Sequence, residues 1–467
     1  MKNTKRCYVL FSFYDRTGIE NYLEKQAQEG WMLDKISPLG WHFKRIEPKK
    51  IHFSVVYFAK ASAFDPEPSE AQLTFQDFCE HTGWHLAASN VQMQIFYNED
   101  ENPTPIETDA TLEVAAIHAS VKKSILPSYF LLMGVGLLQA ILFLLRFIAD
   151  PISILISNAN LFTSITWFLT LFVSVTETLG YYRWYKRAKY AAKRDGSFVE
   201  TKGHPYAKCI ILFLLVLPLV CLPLFFGDRR LTIIAVSTIV IVLGLTAGIL
   251  GISQWMKRMK ISATWNRNIT IILSLVVPSI CSVALIIFVV AMVLTSPSDK
   301  IPVETYEYKD QTFHVYRDTL PLTIEDLTEV GYDGYSYEQT ASNSSIFIEQ
   351  ESATQRPRWD ALTQPRLDYS VTRIKAPFLY NLCKQALLDD FAHNYGRPIP
   401  EDPMWEEHIS IDATPWGANE AYQLKLDGEM QMRFLLCYDN CIVEIDFKQD
   451  WELTPELKKI VAQKLNK

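Results

Sequence analysis

The chain has 467 residues and a net charge of −7, too long for one ordinary domain, and its near-zero mean hydropathy averages over three unlike regions. Residues 1–124 carry −4, residues 125–295 carry +10 and residues 296–467 carry −13. The basic charge falls between apolar runs, which excludes a nucleic-acid surface in favour of membrane-orienting charge, and the eight cysteines include no CxxC pair of zinc or thioredoxin type.

Residues 1–100 are expected to form an α+β domain. The first residues are basic (Lys2, Lys5, Arg6), but the adjoining YVLFSFYDRTG lacks the apolar core of a cleavable signal. Ile19, Tyr22, Leu23 and Ala27 recur at helical spacing, Gly30 supplies a left-handed stop, and Trp31 opens a strand. WHFKRIE and IHFSVVYFA alternate as strands. A second helix ends at Gly83, and Trp84 opens WHLAAS. The stretches YLEKQAQEGWML and FQDFCEHTGWHL therefore share a helix-Gly-Trp-strand grammar that predicts a duplicated unit. His81, His85 and Cys79 cross a helix end instead of sharing one face, so packing or surface roles are favoured over metal binding.

The run CYVLFSFYDRTGIENYLEKQAQEGWML, the strand WHFKRIEPKKIHFSVVYF, the helix end FCEHTGWHL and the strand VQMQIFYNE resemble the domain of unknown function 2812 family over about the first hundred residues. The resemblance implies a membrane-associated protein of Gram-positive type bacteria, often encoded beside a PadR-like transcriptional regulator. It implies no activity.

Residues 101–124 read as an acidic linker and a pre-membrane helix from Thr108, with its acids early and its lysines late. Between residues 125 and 295 five runs are long and apolar enough for membrane helices, at about 125–148, 161–179, 209–226, 231–252 and 269–294. Pro218, Pro223 and Pro278 are expected to bend or interrupt the third and fifth. Gly244, Gly248 and Gly251 form a small-residue face on the fourth that suits close helix packing or a homodimer seam.

The loop between the second and third runs carries Arg183, Lys186, Arg187, Lys189, Lys193 and Arg194. By the positive-inside rule these place the loop and the N-terminus in the cytoplasm and the C-terminus outside the cell membrane. Tyr181, Tyr182, Trp184 and Tyr185 among them read as an interfacial aromatic belt. Only Arg146 and Glu177 are ionisable within runs, both near ends; snorkelling, or pairing with Arg183 for Glu177, is expected in place of an ion path.

Residues 296–467 are expected to form a second α+β domain. Strands are predicted in TYEYKDQTFHVY, YSYEQTASNSSIFIEQ and LDYSVTRI, succeeded by a helix through Leu379, Leu382, Leu387 and Phe391 that ends at Gly396. A meander then turns at Asp427-Gly428 and at Asp439-Asn440, before a last helix opened by Thr454, Pro455 and Glu456. Cys437 and Cys441 flank the second turn and are the candidate disulfide, although a two-residue turn pairs Tyr438 with Cys441. Trp416 is read as covering a sheet end in preference to meeting a ligand.

The expected architecture is thus a membrane α-helical bundle of five spans flanked by two α+β domains. No catalytic motif, cofactor fingerprint or metal-ligand spacing motivates an enzyme. The leading expectation is an envelope sensor or regulatory accessory protein, against a transporter component or a scaffold. Its partners are the lipid bilayer, other proteins or a second copy, and an unidentified extracytoplasmic ligand, with no nucleic acid.

Overall fold

One βαββ unit used twice builds the N-terminal domain. The computed structural model describes all residues except 1–2, 38–39, 67, 202–207, 212, 215–216, 218–228, 296–301, 331, 359–363, 395–405, 450 and 467. In the first copy β1 (Thr4–Cys7), α1 (Arg16–Gln28), β2 (Trp31–Ser37) and β3 (Gly40–Arg45) give a sheet of order β1-β3-β2. In the second, β4 (His52–Tyr57), α2 (Glu70–His81), β5 (His85–Asn90) and β6 (Met93–Asn98) give β4-β6-β5, the same topology. Gly30 and Gly83 end the helices at φ +84° and +83°, a region that L side chains rarely adopt.

The duplication extends to an irregularity. Pairing of β2 with β3 slips between Leu33 and Lys35, and pairing of β5 with β6 slips between Leu86 and Ala88, in each case starting two residues after the tryptophan. At such a slip an extra residue on one strand leaves two residues opposing one on the partner. The copies differ in capping. Asp15 accepts from the Gly18 N–H, whereas Ser69 and Gln72 make a reciprocal capping box. Ile19, Leu23 and Ala27 of α1 are buried with Phe53, Val55 and Ile95 of the second sheet, so one core joins both copies.

The helix α3 (Ala110–Ser124) starts at the Asp109 cap, two residues later than expected. It buries Val114, Ile117 and Val121 in the same core. Lys123 near its end donates to the carbonyls of Ala59, Lys60 and Ala61 at 3.2, 3.2 and 3.1 Å. This lysine, one of the two late in the helix, ties α3 to the domain.

Next come α4 (Leu126–Ala149), the short α5 (Pro151–Leu155), α6 (Asn158–Asp195), α7 (Arg229–Arg258) and α8 (Ala263–Thr295). Among the described residues four helices are long and apolar enough to cross a membrane: Leu126–Ala149, Asn158–Asp195, Thr232–Arg258 and Ala263–Ala291. The expected third span, 209–226, lies largely outside the described residues, with Pro218 and Pro223. Pro278 sits inside α8 without ending it. The segment expected as a basic loop after residue 179 is helical as far as Asp195, because α6 continues past its apolar part for about four more turns. Between α7 and α8, Asn266 is fully buried and donates to the carbonyls of Ser253 and Phe64 at 3.2 and 3.3 Å.

The chain divides into two compact units, Met1–Ala140 with Phe162–Val289, and Ile141–Leu161 with Val290–Lys467. The second unit contains the hairpin β7 (Glu304–Tyr308) and β8 (Gln311–Val315), and an antiparallel sheet of seven strands. These are β9 (Tyr335–Ser344), β10 (Ile348–Pro357), β11 (Arg366–Ile374), β12 (Glu406–Ile411), β13 (Glu420–Leu426), β14 (Glu429–Cys437) and β15 (Cys441–Lys448), in the order β12-β13-β14-β15-β11-β10-β9. The β13–β14 turn uses Asp427 and Gly428 at φ 46° and 89°, as a two-residue hairpin of right-handed twist requires. The edge strand β12 is the strand that precedes the loop of Trp416.

Two helices cover the sheet. On one face Phe434, Leu436, Val443 and Phe447 pack with Val461 and Leu465 of α10 (Pro455–Leu465), and Trp416 is fully buried among them. On the other, Leu435 and Ile442 pack with Cys383 and Leu387 of α9 (Tyr380–Asn394), together with Ile152, Leu155 and Leu161. The α4–α6 connection is therefore part of this domain's core. Asn158 fixes it, donating to the Ser344 carbonyl at 3.4 Å and accepting from the Ile346 N–H at 3.0 Å. The Gly396 end expected for α9 lies outside the described residues.

Candidate functional site

The carboxyl-terminal part of α6 meets the N-terminal domain through an aromatic seam. Tyr181, Trp184, Ala188 and Ala192 recur at helical spacing and are 2, 2, 0 and 5% exposed, all within the domain core. Tyr14 stacks on Trp184 at 5.1 Å and meets Tyr181 edge-on at 5.4 Å. It can approach because position 180 is glycine, where a Cβ would stand 3.2 Å from its hydroxyl. The His118 ring lies on Tyr185 at 4.0 Å, with Nδ1 2.5 Å from the Tyr181 hydroxyl. Burial, then Lys122 and Lys189, push the His118 pKa below the ordinary imidazole value. The expected interfacial belt is thus corrected: two of its four aromatics are buried between helix and domain, and only Tyr182 is exposed among the four.

A polar triangle adjoins the seam. Lys208 pairs with Glu177 at 2.7 Å, the Ser12 hydroxyl donates to Glu177 at 3.0 Å, and Lys208 also contacts that hydroxyl. The sequence points to Arg183 as the partner of Glu177, but the partner is Lys208, the residue just before the third apolar run. One residue on, the Cys209 thiol donates to the Tyr8 carbonyl at 3.4 Å.

Beside the triangle lies an apolar cleft of about 650 Å³. Its walls include Leu10 and Phe13 from the β1–α1 connection, Trp41 of β3, Ile125 and Tyr129 at the head of α4, and Phe213. A concavity of this size and lining suits an apolar ligand. Among the described residues no group of three His, Cys, Asp or Glu side chains could hold a metal ion. His81 and His85 are exposed, and His81 shares its Nδ1 with the Asp77 carbonyl.

The other candidates from the sequence fall elsewhere. Arg183, Lys186, Arg187, Lys189, Lys193 and Arg194 are exposed on the α6 surface away from the seam, as helical periodicity demands once Trp184 and Ala188 are buried. Gly244, Gly248 and Gly251 are exposed on α7, and a Cβ at any of them would meet nothing within 4 Å. Cys437 and Cys441 are buried free thiols. Cys437 opposes Ile442, and Tyr438 bonds to the Cys441 carbonyl, so the expected disulfide is corrected: one residue of offset sends the two thiols into the cores on opposite faces of the sheet. Ser12 of the triangle and Tyr14 and His118 of the seam carry no sequence signal of their own. Only the spacing of Tyr181, Trp184, Ala188 and Ala192 indicates that the expected loop has a buried face.

Four apolar helices of spanning length joined to two folded domains define a multi-pass membrane protein. Residues 15–128 match the family model described as Protein of unknown function (DUF2812), so this segment is a domain of that family. The match runs from the α1 cap through the rest of the first βαββ copy, the whole of the second and α3 to the first turn of α4, with β1 outside it. A search of curated proteins and of solved structures finds no match to the chain.

Proposed function

We propose that this chain is a membrane-anchored sensor or regulatory accessory protein of the bacterial envelope, in which α6 couples the C-terminal domain to the N-terminal one. One observation carries the reading. A single uninterrupted helix contributes Leu161 to the core of the C-terminal domain, and Tyr181, Trp184 and Ala188 to the core of the N-terminal domain. A ligand that prefers one arrangement of either domain then biases the packing of a helix the other domain also uses. The N-terminal domain is read as cytoplasmic and the C-terminal domain as extracytoplasmic, from the basic residues on α6 and at Lys257, Arg258, Lys260 and Arg267. An odd number of spans, with the apolar run 209–226 as the fifth, agrees with that orientation. The engagement of Glu177 by Lys208 and Ser12 favours this reading over a transport path through Glu177.

The test is amide hydrogen exchange on the full chain in lipid nanodiscs. Asn158→Ala removes both bonds that fix the first turn of α6 to β9 and its turn. Coupling predicts faster exchange at Ser344–Phe347 and also in Val114–Val121 of α3. A change confined to the first segment overturns the proposal.

A further inference from the structure

We infer that the cleft beside Ser12 is a binding site for the hydrocarbon tail of a single-chain membrane amphiphile, of fatty-acid or lysolipid chemistry, with its headgroup left at the mouth. This deepens the reading above and rests on its placing of the N-terminal domain at the bilayer, but not on the coupling through α6.

Three observations lead there. First, the volume of about 650 Å³ falls within the roughly 300–1,000 Å³ of small-molecule sites, and its lining is mostly apolar. Second, the mouth is apolar as well. Tyr8, Leu10 and Phe213 are 68, 39 and 61% exposed, and Ile125 and Tyr129 lead directly into a membrane-spanning helix, so the cleft continues the lipid-facing surface. A water-soluble ligand would have to cross that surface, whereas a tail already in the bilayer would not.

Third, the two lining serines are already matched. Ser12 both donates to Glu177 and accepts from Lys208, and Ser37 donates to the Gly40 carbonyl at 2.8 Å. None of the described lining residues is charged, so none compensates the desolvation of an ionic headgroup, which therefore stays outside while the tail replaces water in the cleft.

The experiment uses the full chain in nanodiscs of zwitterionic phospholipid with a palmitic acid analogue that carries a diazirine in its tail. After photolysis, labelled peptides are mapped by mass spectrometry. The expected result is saturable labelling of the peptides holding Tyr8–Phe13 and Ile125–Tyr129, displaced by excess palmitate or lysophosphatidylcholine. Leu10→Trp at the rim and Ile36→Trp on the wall should each lower that labelling at least fivefold, with Tm and the labelling of α8 unchanged. Labelling at the cleft that does not saturate, or that survives both folded variants, overturns the assignment. Because exchange coupling is read separately, failure of either test leaves the other standing.

Discussion

The Lys208 ammonium lies 2.7 Å from the Glu177 carboxylate, and the Ser12 hydroxyl completes the triangle at 3.0 Å from the same acid. The two charged side chains are about three-quarters buried, so their attraction is less screened than at an open surface, and removing one partner leaves the other partly desolvated. Glu177→Gln and Lys208→Met should each lower stability by roughly 1–2 kcal/mol, below the cost of breaking a fully buried pair. The double variant should lose less than the sum. A thermal double-mutant cycle in nanodiscs measures the coupling, and strict additivity would mean that the pair does not interact.

His118 gives the seam a pH dependence. Its pKa is depressed in the folded protein by burial and by Lys122 and Lys189, so the unfolded chain binds the proton more readily. The stability that neutral His118 contributes is fully present above the ordinary imidazole pKa of about 6.5 and is lost as pH falls from there through the lower folded-state pKa. Comparing Tm at pH 8 and pH 5.5 for the parent and for His118→Phe isolates it. The parent should lose more than the variant, and parallel profiles would exclude His118 as a source.

Gly30 and Gly83 hold equivalent places in the two copies, so alanine should destabilise at both, though to different degrees. A left-handed backbone disfavours alanine by about 1–2 kcal/mol. At Gly30 an added Cβ also stands 3.0 Å from the Ile46 carbonyl, whereas at Gly83 its nearest neighbour is the Asn98 side-chain amide at 3.1 Å. Gly30→Ala should therefore be the more damaging, since a side chain yields more easily than backbone. Chemical denaturation of the full chain, monitored by the fluorescence of the N-terminal tryptophans, gives the order.

The duplicated unit is legible in the sequence because glycine and tryptophan mark the same point in each copy, and local backbone chemistry decides helix ends. The apolar runs are legible for the same reason: length and hydropathy are local. The course of α6 after residue 180 is not. Arg183, Lys186 and Arg187 dominate the composition there and suggest a loop, yet Trp184 and Ala188 are buried by a domain whose position sequence does not encode locally. The triangle is hidden too, since Glu177 has Arg183 nearby in sequence, while its partners Ser12 and Lys208 come from distant segments.

Cys437 and Cys441 should both react after denaturation without a reductant. Burial pushes each thiol up to about 11, so both are inert in the folded chain. Alkylation with iodoacetamide should leave both unmodified under native conditions and modify both in guanidinium. A peptide mass that retained a bond between them would show that the sheet register is wrong at this turn.

The two faces of α6 offer the sharpest contrast. Ala188 is fully buried against the N-terminal domain, and its neighbour Lys189 is exposed. Glutamate at 188 would place an unpaired carboxylate in the seam, at a cost of several kcal/mol that the chain can avoid only by separating helix from domain. Glutamate at 189 changes an exposed charge and should shift stability by no more than about 0.5 kcal/mol. Ala188→Glu should therefore raise amide exchange through Val114–Val121 and open α3 to protease, while Lys189→Glu should do neither. If an interfacial belt were the true arrangement, position 188 would face headgroups and the two variants would behave alike. The seam requires that they differ.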